Sequence, residues 1–552
     1  MAELKSSIAQ VGTLAPLRSP VFRNIWIASL LSNIGFMIQS VGASWAMASI
    51  AGPALVALVQ TATFLPLALL TLPAGAIADT FDRRKTQLVA LLISLVGAST
   101  LLLLSWTDLL TPWALLGACF WIGCGMALFG PAWQASVAEQ VDATALAQAI
   151  TLNGSSFNLA RSVGPALGGM IIGSLGVAYT FATNALFYLP MFFALLLWKR
   201  TSEPARIAPE RFFAAIGAGV RYIIHTHPAR SIIGRMFVLG LVCTSIIILM
   251  PLIARDHLQG DASVFGFLLT SFGAGSVAAS FLFNRIRRFD NEWVVRGSSI
   301  VMALAMVIIA FAPVLSIVLP SVFVAGMTRI LIVMTASVSL QLLVPRWVMG
   351  RAVALNTAAI SLGASVGGWG WGQLAASVGT PYTLICGAVS ILVALLVSPY
   401  LRIFNRDSSA EDASLYLNDP SVKMELTGRS GPIVIQVEYR ISLSDAREFY
   451  NVMQAMRRFR CRNGAHDWSL SRDIGEPESW CEQYRVSTWD DYLRLRTRGT
   501  VEEAHVLEHA RNLHSSLEPI RVRHFLERPV GSVRWQENTP DRGDIDVLTP
   551  QG

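Results

Sequence analysis

Along the first 400 residues, apolar runs alternate with short charged or Pro/Gly breaks. Each run has the roughly twenty residues that a helix needs to cross the hydrocarbon core of a bilayer. The breaks predict twelve spans: 24–47, 54–78, 87–106, 113–137, 147–173 and 177–198, then 231–254, 262–284, 293–313, 315–343, 353–378 and 381–403. Between the sixes, PERFFAAIGAGVRYIIHTHP places Phe212, Phe213, Ile216, Val220, Ile223 and Ile224 at helical spacing. That pattern predicts an amphipathic helix lying against the membrane.

Past Asn405 the pattern changes. A polar stretch, RDSSAEDAS, leads to GPIVIQVEYRI, whose alternation predicts a strand. SDAREFYNVMQAMRRFRCRNG then reads as an amphipathic helix capped by Ser444. HDWSLSRDI and WCEQYRVS read as strands, TWDDYLRLRTRGTVEEAHVLEHARNLH as an interrupted helix, and IRVRHFLERPV as a last strand. The expected fold is therefore an all-α polytopic membrane body with a small α+β domain attached. Its parts are a six-helix bundle at 1–198, a linker at 199–230 and a second bundle at 231–403. A linker at 404–427, a βαββαβ domain at 428–530 and a disordered tail at 531–552 follow.

The halves repeat. At an offset of 203, positions 149–180 and 352–383 share 12 of 32 residues, including Asn153/Asn356, Gly164/Gly367, Gly169/Gly372 and Tyr179/Tyr382. Two membrane halves in the same order predict a parallel-repeat transporter that rocks about a central site.

Charge adds orientation. Residues 1–400 hold 22 Lys/Arg and 12 Asp/Glu, whereas 401–552 hold 21 and 24. The excess of +10 thus sits in the membrane body, where basic loops facing anionic lipid account for it and nucleic acid is not implied. With a cytoplasmic N-terminus, the inside loops carry Arg83, Arg84 and Lys85, Lys199 to Arg230, Arg285, Arg287 and Arg288, and Arg346 and Arg351; the outside loops offer Arg255. Both termini are expected in the cytoplasm, with no cleavable signal peptide. The six cysteines show no metal spacing.

Between spans two and three, Gly75, Asp79, Asp82, Arg83, Arg84 and Lys85 put a glycine, an acid one turn later and a basic cluster at one helix junction. Such a group can latch one state of a two-state carrier, or it is a plain positive-inside loop. In span five, Gly164, Pro165, Gly168 and Gly169 predict a bendable, closely packed helix, with Gly367 and Gly372 in the second copy.

GxxxD followed by a basic run resembles the signature loop of the major facilitator superfamily, although Thr80 and Asp82 depart from it and Ala279 replaces the acid in the second half. FRNIWIASLLSNIGFMIQSVGASWAM, VALVQTATFLPLALLTLPAGAIAD and LARSVGPALGG are similar to its transmembrane secretion effector branch, which includes enterobactin exporters and presumed drug exporters. The resemblance implies export from the bacterial cytoplasm across the inner membrane, driven by protons. It also implies that the tail is a ferredoxin-like domain of the dimeric α/β-barrel kind, able to pair with a second copy.

Candidate substrate contacts are the mid-span cations Arg161 and Arg329, the amides Asn33, Gln39, Gln134, Asn158 and Asn356, and Trp133. A membrane arginine is costly unless it meets a cavity, a partner or an anion. The amides equally suit helix-to-helix bonding, and Trp suits packing. The expected substrate is a small amphipathic molecule. No Asp or Glu lies near the middle of any span, so the proton carrier is not evident. No catalytic constellation, cofactor or metal site is expected, although His505 and His509 lie one helical turn apart. The alternatives are a membrane-tethered enzyme whose tail carries the activity, and a transceptor whose tail signals.

Overall fold

The computed structural model describes residues 14–142, 145–199, 212–286, 288–403, 424, 426–497, 501–516 and 518–527. The expected linker over 404–423 and the tail over 531–552 lie outside them. The first six helices are α1 (Pro20–Ile50), α2 (Pro53–Thr80), α3 (Arg83–Trp106), α4 (Pro112–Ser136), α5 (Leu146–Leu175) and α6 (Val177–Leu197). The linker helix is α7 (Phe212–His225). The second set comprises α8 (His227–Cys243), α9 (Ser245–Leu252), α10 (Ala262–Ile286), α11 (Asn291–Phe311), α12 (Leu315–Leu343), α13 (Arg346–Val378) and α14 (Thr380–Val397).

Local signals set these ends. Proline occupies the first turn of α1, α2, α4 and α14, where its missing N–H costs nothing. Asp82 caps α3 by accepting from Lys85 N at 3.0 Å. Gly176 and Gly379, one of the repeated pairs, both adopt positive φ (99° and 85°) where α5 turns into α6 and α13 into α14. An L side chain is disfavoured there, which explains why both copies carry glycine.

Among the described residues, ten helical stretches are long and apolar enough to cross a membrane. The sequence predicted twelve. α5 is not among the ten, since it carries Asn153, Asn158 and Arg161, and the apolar stretch Thr380–Leu396 of α14 is shorter. The expected span over 231–254 falls within one apolar stretch, His227–His257, in which α8 ends at Cys243, α9 follows and Ile253–His257 forms a π-type turn. The expected twelfth span ends at Val397, not 403, and α13 begins seven residues earlier than predicted.

The chain divides into two compact units. The first holds the helical body (1–216, 231–340 and 353–405) and the second holds 217–230, 341–352 and the tail. In the second unit, β1 (Ile433–Arg440), α15 (Ala446–Asn463), β2 (His466–Arg472), β3 (Ser479–Val486), α16 (Trp489–Thr497), α17 (Val501–Asn512) and β4 (Arg521–Leu526) build an antiparallel sheet of order β2-β3-β1-β4. Alternation puts Ile433, Ile435, Val437 and Tyr439 of β1 on the face that packs against Phe449, Met453 and Met456 of α15. Ser444 does not cap α15: Asp445 takes that position, while Ser444 Oγ donates to Asp445 at 3.2 Å.

Candidate functional site

The two halves of the helical body meet through residues without side chains. On α5, a Cβ at Gly169 would lie 2.8 Å from Gly266 Cα on α10. On α13, a Cβ added to its repeat partner Gly372 would clash with Ala57 of α2, and one added to Gly368 would clash with Thr61. Thr61 Oγ1 also donates to Ser365 O at 3.0 Å, Trp45 stacks on Phe265 with centroids 6.0 Å apart, and Arg255 donates to Ala48 O. These contacts fall toward one end of the helices: the C-terminal parts of α1, α5 and α13 and the N-terminal parts of α2 and α10. Gly164 and Gly367 instead pack inside their own halves, against Met37 and Leu241. Gly168 packs against Val41, and Pro165 stands inside α5 with its carbonyl against Gly266. In the structure the span-five motif packs closely against α1 and α10.

The other end holds clusters of paired charges. Arg83 reaches across to Glu139 at 2.8 Å and donates to Ala135 O at 2.9 Å. Arg84 donates to the final carbonyls of α6, Leu195 O at 2.7 Å and Leu196 O at 2.6 Å, satisfying groups that a helix end leaves unpaired. One expectation changes here. Among the described residues nothing lies within 4 Å of where a Cβ at Gly75 would stand, so no tight crossing is made there. Asp82 also caps its own helix. The Asp79 side chain lies outside the described residues.

The second half carries a carboxylate cluster that the sequence reading missed. Glu292, 4% exposed, receives Arg235 at 2.5 Å, Arg296 at 2.7 Å and the backbone N–H of Ile403 at 3.1 Å. Glu292 stands at the start of α11, and position 279 is the buried Ala279 of α10. The Glu292–Arg296 spacing of four was the available signal.

A cavity of about 540 Å³ lies within the first half, toward this charged end. It is bounded by α1, α3, α4, α5 and α6. Of the predicted contacts, Asn33, Trp133 and Gln134 line it together, joined by Asn153. Four aromatics not singled out from sequence complete it: Phe36, Phe129, Phe157 and Tyr188. Phe129 and Trp133, one turn apart on α4, stack with centroids 6.0 Å apart. Among the described residues lining this cavity, none is charged.

The remaining candidates lie elsewhere. Gln39 accepts from the fully buried Asn184 between α1 and α6, and Asn356 donates to Ser337 Oγ at 3.3 Å between α13 and α12. Both do the bridging work of amides in apolar surroundings. Asn158 is half-buried on α5, three residues before Arg161. Arg161 and Arg329 sit at the middle of α5 and α12, flanking α10.

In the second unit, Tyr222 of the linker helix is buried (2% exposed). It stands edge-on to Trp347 at 5.5 Å, and Arg462 of α15 lies over its ring at 5.1 Å. Arg462 pairs with Glu503 at 2.6 Å, and Asn463 donates to the same carboxylate at 2.9 Å. Of the expected membrane-facing stripe, Ile223 is buried and Ile224 exposed, while the side chains of Phe212 and Phe213 lie outside the described residues. In the tail core, fully buried Glu482 is satisfied by Arg460 at 3.2 Å, Trp468 Nε1 at 3.0 Å and Tyr439 Oη at 3.3 Å. His509 bonds Glu448 at 2.8 Å.

Relatives agree with this architecture. The chain is 26% identical over 405 residues to the multidrug efflux pump Tap of Mycobacterium tuberculosis, covering 70% of this chain and 94% of that one. It is 22% identical over 271 residues to the staphyloferrin A transporter of Staphylococcus aureus, covering 48% of this chain and 66% of the other. Among solved structures, a bacterial homolog of the human lysosomal transporter Spinster superposes with a TM-score of 0.55 at 14% identity, covering 70% of this chain and 97% of its own. The peptide transporter PepTSo gives 0.57 at 13%, covering 69% and 97%. These proteins are transporters rather than enzymes. The model of the transmembrane secretion effector family matches residues 11–530, and the chain belongs to that family of major facilitator efflux transporters.

Proposed function

We propose that the protein exports a small amphipathic molecule, of siderophore or drug-like kind, from the bacterial cytoplasm by alternating access. The observation that carries this reading is polarity of packing. Close glycine contacts join the halves from one end of the body to its middle, and the aromatic cavity lies toward the other end. In this reading α1–α6 and α8–α14 supply twelve spans, with α8 and α9 forming one. The basic loops put the charged end, both termini and the tail in the cytoplasm of a cell whose inner membrane the body spans. The cavity then faces inward, ready to take substrate from the cytoplasm.

The proton gradient is the expected drive. The test is uptake of a drug and siderophore panel by inverted vesicles, with and without an imposed pH gradient. Uptake above that of empty vesicles supports export, and acceleration by the gradient supports proton coupling. No uptake across the panel counts against export.

A second role, regulation by the tail, is favoured by the Tyr222–Trp347–Arg462 contact. The tail's strand order, read as ferredoxin-like, leaves Val434 beside Phe525 on the sheet face opposite α15, a surface suited to a second copy. Arg462→Glu is expected to change the transport rate at unchanged protein level. Equal rates would remove the regulatory role, and absence of tail-to-tail cross-links in membranes would remove the pairing.

A further inference from the structure

Every described carboxylate of the helical body lies at a helix end or in a turn, from Asp82 and Asp108 to Asp290 and Glu292. Two cations do not. Arg161 is the sixteenth of thirty residues in α5, and Arg329 the fifteenth of twenty-nine in α12. The helices belong to opposite halves.

A glycine of α10 and a glycine of α12 bring α10 close to the backbone of both arginine-bearing helices. A Cβ at Gly273 would come within 2.5 Å of Arg161 O, and one at Gly326, a turn before Arg329, within 2.1 Å of Phe272 O. Consecutive positions on α10 thus hold the two arginines at one depth. Both are half-buried, and among the described residues neither guanidinium has a hydrogen-bond or carboxylate partner. Two unpaired like charges held at mid-depth are costly in apolar surroundings unless a counter-charge joins them. Guanidinium forks suit a carboxylate, sulfonate or phosphate.

We infer that Arg161 and Arg329 together form an anion site between the halves, and that the transported molecule carries a negative group which occupies it. This rests on the exporter reading above and names its substrate class: an aromatic body, matched to the uncharged cavity of the first half, bearing an acidic group. The anion also has a mechanical role. Repulsion between cations on opposite halves opposes their approach, and a bridging anion reverses its sign. The loaded carrier therefore closes more readily than the empty one.

The test compares benzoate with its neutral isostere benzamide on purified full-length protein in detergent. Benzoate raises the melting temperature saturably and benzamide does not. The double variant Arg161→Gln, Arg329→Gln weakens half-saturation at least about tenfold, the loss of about 1.4 kcal/mol that removal of a charged contact brings. Arg161→Lys, Arg329→Lys, which keeps both charges, retains the benzoate shift and guards against loss of folding. Equal shifts with benzamide, an unchanged shift in the Gln variant, or no benzoate shift in the natural protein overturns the inference. Melting is read without transport, so the anion site is decided even where vesicle uptake overturns the exporter reading.

Discussion

Gly169 and Gly266 stand so close that a Cβ on either would lie 2.8 or 2.9 Å from the other's Cα. One is on α5 and the other on α10, so this contact joins the two halves with no room for even a methyl group. Overpacking of such a seam costs about 1–3 kcal/mol. Gly169→Val is expected to lower uptake about tenfold or more with normal membrane levels, because the end that must close and reopen no longer closes. Gly75→Ala, whose Cβ meets open space, is expected to leave uptake unchanged. Similar losses in both would show that glycine flexibility, not close approach, is what matters.

Glu292 is the most heavily committed charge in the second half, since it holds Arg235, Arg296 and the backbone of Ile403 at once. Removing one partner of a buried pair costs about 3–5 kcal/mol, because the other charge is left behind. Glu292→Gln should therefore lower the melting temperature of the purified protein clearly more than Glu139→Gln, whose partner Arg83 is partly exposed. The reverse order would mean that the Arg235 cluster is dispensable.

Trp133 stacks on Phe129 at the cavity wall without any hydrogen bond that substitution would orphan. Trp133→Ala is expected to raise the half-saturating concentration for an aromatic substrate about tenfold, as loss of an aromatic wall implies, with a smaller change in maximal rate. A purely lowered maximal rate would place Trp133 in the packing of α4 and not in the binding surface.

His524 gives the tail a pH dependence. Partial burial, then the nearby Arg496 cation, hold its imidazole below the ordinary value of 6.5, and Tyr492 Oη lies 2.5 Å from Nε2. The unfolded chain takes up a proton near that value, whereas the folded domain does so only at lower pH. The unfolded state therefore binds more protons there, and stability falls as pH drops below about 6.5. Hydrogen-exchange protection of β1 and β4, corrected for intrinsic rates, should fall between pH 7.5 and 5.5. His524→Gln should flatten that fall, and a slope unchanged by the substitution would assign it to other groups.

Much of this protein is legible in one dimension. Long apolar runs leave a chain little choice in a bilayer, because an unpaired backbone there is prohibitive, so the predicted spans agree with the helices to within a few residues at most ends. Alternation likewise located all four strands of the tail. The repeated Gly164/Gly367 and Gly169/Gly372 pointed to close backbone approach, whereas the turn at Gly176 and Gly379 was read only from their positive φ. What the chain could not announce was partnership. Glu139 for Arg83 is 56 residues away, and Glu292 for Arg235 is 57, and nothing in either local pattern names the other. The amides show the same limit. Asn33 and Gln134 line a cavity, whereas Gln39 and Asn356, equally polar and equally mid-helix, bond to neighbouring helices. Periodicity sets which face of a helix is apolar, because burial repeats every 3.6 residues. Which other helix that face meets, and which charge finds its counter-charge, is a property of the packed bundle, and only the tertiary structure decided it.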